Sequence, residues 1–151
     1  MRVLLHRKPR GPQGIRSDAE RERAAAQVDF LRAAIEKAGR EKPTRRNADF
    51  IERCQAMVRQ REAEIGDYDA LKRGDLRVPK VNRVDELATF ISRIRIANGV
   101  SQTELARRLG VSKQVINRYE ESGYQTVGLA RLQQILDALG AKVQIDLRSA
   151  S

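Results

Sequence analysis

Apolar residues in the first third of the chain recur at the spacing of a helix. Between Ser17 and Gly39 they are separated by four, three, four and three residues, at Ala24, Val28, Leu31, Ile35 and Ala38. This spacing places them on one narrow face of an α-helix. Ser17 is followed three residues later by Glu20, which is the spacing of a capping box, so we predict that the helix begins there.

A second stretch with helical spacing follows the short connection from Gly39 to Pro43. Its start can be capped by Thr44 or Asn47, and its apolar residues are Phe50, Ile51, Cys54, Met57, Val58 and Ile65. Because the connection is short, we expect an antiparallel helical hairpin over residues 17–73. This hairpin can be an ordinary intramolecular unit, or it can dimerise or bind a partner protein through its free faces.

After a predicted linker at residues 74–83, short pieces of helical spacing are separated by Gly99, Gly110, Gly123 and Gly140. Residues 141–148 then alternate, with Ala141, Val143, Ile145 and Leu147 on one face. Alternation predicts a half-buried β-strand. Since a lone strand leaves its backbone groups unpaired, we expect this strand to pair with its copy across a dimer.

The segment from Ser101 to Glu120 has the pattern of two helices joined by a tight turn. Ser101 and Ser112 are placed to cap the two helices, and Gly110 lies where the chain must turn sharply. The apolar residues that would face inward are Leu105, Ala106, Leu109, Val111, Val115, Ile116 and Tyr119. This is the spacing of a helix-turn-helix. The predicted fold is therefore mainly α, with a helix-turn-helix domain of four to five helices at residues 84–140.

The outward face of the second helix carries long polar side chains, namely Lys113, Gln114, Asn117 and Arg118. Lys and Arg suit the acceptors of guanine, and Gln and Asn suit adenine. An ordinary solvated surface would also be polar, but here the core, the turn, the caps and the exposed face all agree. We therefore predict that these four residues read DNA bases.

The charge of the chain is strongly basic, since 30 Lys and Arg against 20 Asp and Glu give a net charge of +10. Such a field attracts polyanions, of which nucleic acid is the commonest. An arginine-rich surface of an ordinary protein would have the same composition, so charge alone does not decide. Residues 1–16 contain five basic residues and no acid, and they predict a flexible basic arm.

The sequence contains no motif for several common kinds of functional site. Cys54 is the single cysteine, which fits a reducing cytoplasm, and one histidine offers no partner for a metal site. There is no nucleotide-binding glycine loop, no His–carboxylate pair and no apolar run of about 20 residues that could span a membrane. We therefore expect a cytoplasmic protein that is not an enzyme and has no catalytic residues, metal or cofactor.

Residues 84–140 resemble the Cro/Xre-type domains of phage repressors and many bacterial regulators. The resemblance rests on RIANG at 95–99, SQTELA at 101–106, LGVS at 109–112, INRYE at 116–120 and LARLQQILDALG at 129–140. By this resemblance Gln102, with Ser101 and Ser112, would bind DNA phosphates, and Lys113, Gln114 and Arg118 would read bases. The resemblance also implies a partly buried ion pair between Arg95 and Glu120.

The order of an Xre-like domain followed by a strand also resembles the Hip- and Hig-type antitoxins. In the Hip type this strand pairs between two subunits, whereas the N-terminal hairpin departs from the smallest members. Two hypotheses follow. The first is a homodimeric repressor that reads an inverted repeat in double-stranded DNA. The second is an antitoxin that binds a toxin and autoregulates its operon, and a neighbouring toxin gene would favour it.

Overall fold

The structure, a computed structural model, describes residues 14–77, 81, 83–147 and 149. This part of the chain divides into two compact units, one before and one after residue 75, and all its regular structure is helical. The helices are α1 (Asp18–Gly39), α2 (Arg45–Lys72), α3 (Val84–Ala97), α4 (Gln102–Leu109), α5 (Lys113–Glu121) and α6 (Leu129–Ala138). The predicted mainly helical class is therefore confirmed.

Both helices of the first unit begin at a side-chain cap. The Ser17 hydroxyl accepts a hydrogen bond from the Glu20 backbone N–H at 3.2 Å, and the Glu20 carboxylate accepts one from the Arg16 N–H at 2.8 Å. At the start of α2 the Thr44 hydroxyl accepts from the Asn47 N–H at 3.1 Å. These bonds satisfy N–H groups that have no partner within the helix.

Helices α1 and α2 form an antiparallel hairpin. Contacts from the start of α1 reach the end of α2, as in the 2.7 Å hydrogen bond that the Tyr68 hydroxyl donates to Asp18. Farther along α1, Arg32 forms an ion pair with Glu62, which lies earlier in α2. The core between the helices consists of Val28, Leu31, Cys54 and Val58, with Ile35 and Ile65 packed against it. Cys54 is thus a buried core residue.

The second unit packs helices α3 to α6 around one core. The buried residues of this core are Ala88, Ile91, Val100, Leu105, Ala106, Ile116, Tyr124, Leu132, Ile135, Leu136 and Leu139. Two polar side chains close the end of α6, because Arg108 donates to the Ala138 carbonyl at 2.8 Å and Asn98 to the Leu139 carbonyl at 2.9 Å. These carbonyls lie in the last turn, where the helix offers no N–H of its own.

The predicted C-terminal strand is wrong, because the described residues 141–147 form no strand. Gly140 adopts a left-handed conformation, and the Ala141 N–H donates to the Leu136 carbonyl at 2.9 Å, which closes α6. The Ala141 side chain packs on the core, but residues 142–147 are all exposed, and Leu147 is 90% exposed. The alternating residues have neither a neighbouring strand nor a surface to cover in the described part of the chain, so the pattern does not become a ladder. Residue 148 lies outside the described part.

Some predicted segments fall outside the part of the chain that the structure describes. These are residues 1–13 of the predicted basic arm, and residues 78–80 and 82 of the predicted linker. Among the described residues, none of the helices combines the length and the apolar character needed to cross a bilayer.

Candidate nucleic-acid interface

A tight turn joins α4 to α5. The Ser101 hydroxyl accepts from the Glu104 N–H at 3.0 Å and so caps α4. The helix ends at Gly110, whose φ of 65° lies in the left-handed region that a side chain disfavours. The Val111 N–H then donates back to the carbonyl of the buried residue Ala106 at 3.0 Å. This geometry holds the start of α5 close to the end of α4.

The two faces of α5 differ sharply in polarity. Ile116 and Glu120 are 0% exposed and point into the domain. On the other side Lys113, Gln114 and Arg118 are exposed. A helix that is anchored on one face and presents long polar side chains on the other has the form needed to enter the major groove of DNA.

Two further residues of the predicted interface, Asn117 and Ser112, differ from each other in burial and in hydrogen bonding. Asn117 is half-buried, and its amide donates to the Glu121 carboxylate at 2.8 Å. Ser112 is exposed and stands at the start of α5, but its side chain makes no capping hydrogen bond. Its hydroxyl is therefore not used to cap α5, whereas the hydroxyl of Ser101 caps α4.

Arg95 and Glu120 form an ion pair in the interior of the domain. The guanidinium Nε and Nη2 donate to the two carboxylate oxygens at 2.6 and 3.0 Å, and the side chains are 3% and 0% exposed. Arg95 also donates through Nη1 to the Val100 carbonyl at 2.8 Å. The pair joins α3 to α5. Such charges are tolerated in a core when they meet and are fully hydrogen-bonded.

Gln102 belongs to the same network. Its side chain is only 7% exposed, and its amide Nε2 donates to Glu120 Oε2 at 2.7 Å. The resemblance placed Gln102 at a DNA phosphate, and the structure places its side chain in the interior and its backbone at the first position of α4. Any phosphate contact at this position therefore involves the exposed start of the helix.

Tyr124 completes the network and was missed in the sequence. Its ring is 1% exposed, its hydroxyl donates to Glu120 Oε1 at 3.4 Å, and its backbone is left-handed with φ of 58°. Burial, together with the negative charge of Glu120, raises the pKa of Tyr124. The four-residue spacing of Ile116, Glu120 and Tyr124 was the available signal, but α5 ends at Glu121, before Tyr124 is reached.

The polar groups around α5 are divided between its two sides. A buried network lies behind the helix, and a row of exposed side chains lies in front of it. Within the described part of the chain, no three His, Cys, Asp or Glu side chains are grouped so that they could hold a metal ion. The exposed polar face of α5 is therefore supported from within the domain by a buried polar network.

Comparison with known protein families gives a match to the second unit. Residues 91–145 match the model of the helix-turn-helix family, and the matched segment begins inside α3 and includes α4, α5 and α6. No curated protein and no solved structure matches the chain. The matched segment contains the turn at Gly110 and the whole of α5.

Proposed function

Because residues 91–145 form a helix-turn-helix domain of the Cro/Xre type and the protein is thus a DNA-binding regulator, we propose that it represses transcription from an inverted-repeat operator. It would act in the cytoplasm as a homodimer. The observation that carries this proposal is the exposed face of α5, with Lys113, Gln114 and Arg118 opposite the buried Ile116. We assign base reading to this face, with Asn117 at its edge.

Phosphate contacts are proposed at the starts of α4 and α5. A helix start offers N–H groups without intrahelical partners, and its dipole favours negative charge. The Ser112 hydroxyl makes no capping bond and supports a phosphate contact there. At α4 the backbone of Gln102, beside Ser101, would serve the same purpose while the Gln102 amide stays on Glu120.

A homodimer is proposed because one recognition helix contacts too few base pairs to select one site in a genome. Two copies related by a two-fold axis demand half-sites about one helical turn apart. With no C-terminal strand in the described residues, the N-terminal hairpin is the remaining candidate for the dimer surface. Phe30 is 72% exposed and Met57 is 43% exposed there, which supports this assignment.

The proposal is tested by selecting DNA from a random pool with the full chain and with two variants. Arg118→Ala or Gln114→Ala should each cost about 1–3 kcal/mol on the selected site and relax the preference at one base pair per half-site. Gln133→Ala is the matched control, since Gln133 is exposed on α6 rather than α5. Selected sequences that stay the same in both α5 variants would mean that α5 does not read the bases.

An antitoxin is the second candidate function, and the N-terminal hairpin is the observation that favours it. The hairpin lies outside the residues matched by the family model and exposes an aromatic side chain, Phe30. A toxin encoded beside this gene would be expected to copurify with the wild-type chain. Phe30→Ser should abolish that copurification while DNA binding persists. If Phe30→Ser instead abolishes dimerisation and operator binding, the hairpin serves the repressor.

A further inference from the structure

A basic surface pocket lies at the start of α2, in the unit that the family model does not cover. The pocket encloses about 500 Å³ and is lined by Arg45, Arg46, Asp49, Phe50 and Arg53. These positions form two neighbouring rows on the helix, because Arg45, Asp49 and Arg53 are four residues apart and so are Arg46 and Phe50. Side chains spaced by four residues lie beside each other on one helix face.

The three arginines of this pocket differ from five other arginines of the hairpin. Arg16, Arg21, Arg32, Arg40 and Arg61 each form an ion pair with a carboxylate. Arg45, Arg46 and Arg53 form no ion pair with another described residue. Asp49 is the one acid in the lining, so three guanidinium groups minus one carboxylate leave a charge of +2.

This positive charge is a local feature of the hairpin. Residues 14–75 contain 14 Lys and Arg and 13 Asp and Glu, so the unit as a whole carries only 14 − 13 = +1. A basic surface that followed only from composition would be spread over the unit. Six arginines of the hairpin form no ion pair with a described residue, and three of these six lie around one cavity, with the Phe50 side chain as its apolar wall.

We propose that this basic pocket of Arg45, Arg46, Phe50 and Arg53 binds phosphates of the DNA backbone, as a second and sequence-independent DNA contact. The inference rests on the helix-turn-helix domain having DNA as its ligand. Guanidinium groups can bind phosphate oxygens with two parallel hydrogen bonds. DNA is already the proposed ligand of the other unit of the same chain, which favours DNA over an acidic protein segment as the occupant.

The test measures binding of the full chain to two duplexes, the selected site and a scrambled sequence, over a range of salt concentrations. One variant changes Arg45, Arg46 and Arg53 to Gln. The matched control changes Arg23, Arg59 and Arg73 to Gln, because these arginines are also exposed and form no ion pair with a described residue. Both variants lose three positive charges, so they differ only in where the charge is removed.

Removing one arginine that binds a phosphate should reduce the slope of log affinity against log salt by about 0.9, equivalent to a roughly 8-fold weaker affinity at 0.1 M salt. The slope of the pocket variant should therefore be smaller than that of the wild type by about 1–3. The variant should weaken binding to the selected and the scrambled duplex by the same factor, because phosphate contacts carry no sequence information. The control should stay within about twofold of the wild type.

Asp49→Asn provides a second variant, for which the expected change is a gain in DNA binding rather than a loss. Removing the only acid of the pocket should strengthen binding to both duplexes and steepen the salt dependence.

An unchanged slope in the pocket variant would overturn the proposal and leave an acidic protein segment as the occupant. Equal losses in the pocket variant and the control would also overturn it, since net charge would then be the cause. If the wild type prefers no sequence, base reading by α5 fails, while the comparison on scrambled DNA still tests the pocket.

Discussion

Replacing Arg95 with Gln should destabilise the helix-turn-helix domain by about 3–5 kcal/mol, while the same replacement at the exposed Arg107 should change its stability little. The two arginines make the same kind of contact. Each donates through Nε and Nη2 to both oxygens of a glutamate, Arg95 to Glu120 at 2.6 and 3.0 Å and Arg107 to Glu104 at 2.9 and 2.9 Å. The pairs differ in their access to water.

The magnitude follows from what each replacement leaves behind. Without Arg95, the fully buried Glu120 carboxylate keeps only neutral donors, the Gln102 amide and the Tyr124 hydroxyl, and the Val100 carbonyl loses its guanidinium partner. A buried charge without a counter-charge is strongly destabilising. The Arg107 side chain is 74% exposed, so water replaces its hydrogen bonds when it is removed.

Amide hydrogen exchange of helices α3 to α6 measures this difference best, because the chain has two units and a single unfolding curve would mix them. Domains of this kind are stable by about 5–15 kcal/mol, so the Arg95 variant should lose a large part of its protection. Protection in the hairpin helices serves as the internal control. A difference of less than about 1 kcal/mol between the two variants would refute the reasoning, since burial would then not decide the strength of the pair.

Two further predictions concern the pH dependence of the stability of the helix-turn-helix domain and the replacement of two glycines by alanine. Side-chain hydrogen bonds from Arg107 and Arg108 lower the pKa of Glu104 from 4.5 to about 2, so its contribution to stability is present above pH 4.5 and is lost as pH falls towards 2. NMR titration should show this midpoint, and a midpoint near 4.5 would contradict it. Gly110→Ala should cost about 1 kcal/mol, because φ is 65° although no atom lies within 4 Å of the added Cβ. Gly66→Ala, inside α2, should stabilise the hairpin by about 0.5–1 kcal/mol, and amide hydrogen exchange of the two units that shows the same sign for both variants would contradict the backbone argument.

Local signals in the sequence predicted the capped starts of α1 and α4, whereas the predicted cap at Ser112 makes no capping hydrogen bond. Ser17 and Ser101 each cap a helix through the N–H three residues on, as the capping pattern requires. Gly110 adopts the left-handed conformation that the turn needs. These features depend on residues within one or two turns of each other, so they can be worked out without knowing the rest of the fold.

The C-terminal strand shows where local patterns fail. Alternation at Val143, Ile145 and Leu147 describes an extended segment with an apolar side, but a strand also requires a neighbouring strand to complete its hydrogen bonds. In the described part of the chain these residues are exposed instead. The alternating pattern therefore lacked the information about pairing that decides whether a segment forms a strand.

The buried network was predictable only in part, because it too depends on contacts between separate elements. The ion pair of Arg95 and Glu120 followed from the family resemblance, whereas the contributions of Gln102 and Tyr124 depend on tertiary contacts. Gln102 is polar and stands at a helix start, where an exposed position is the usual expectation. Its burial depends on α4 lying beside α5, which no pattern within α4 specifies.

The network also bears on how the recognition helix can select a sequence. Arg118 stands two residues before Glu120, so the exposed and the anchored positions belong to the same turn of α5. Glu120 is held by groups from α3 and α4 and by Tyr124 after α5, which fixes both the rotation of α5 about its axis and its position along it. Base contacts require side chains placed to within a fraction of an ångström, whereas phosphate contacts tolerate more movement. Loosening the network should therefore reduce discrimination between operator and random DNA more than it reduces binding to random DNA. In the proposed base-reading role of α5, the buried charges would thus contribute to specificity by preventing α5 from turning, even though they would contact no base.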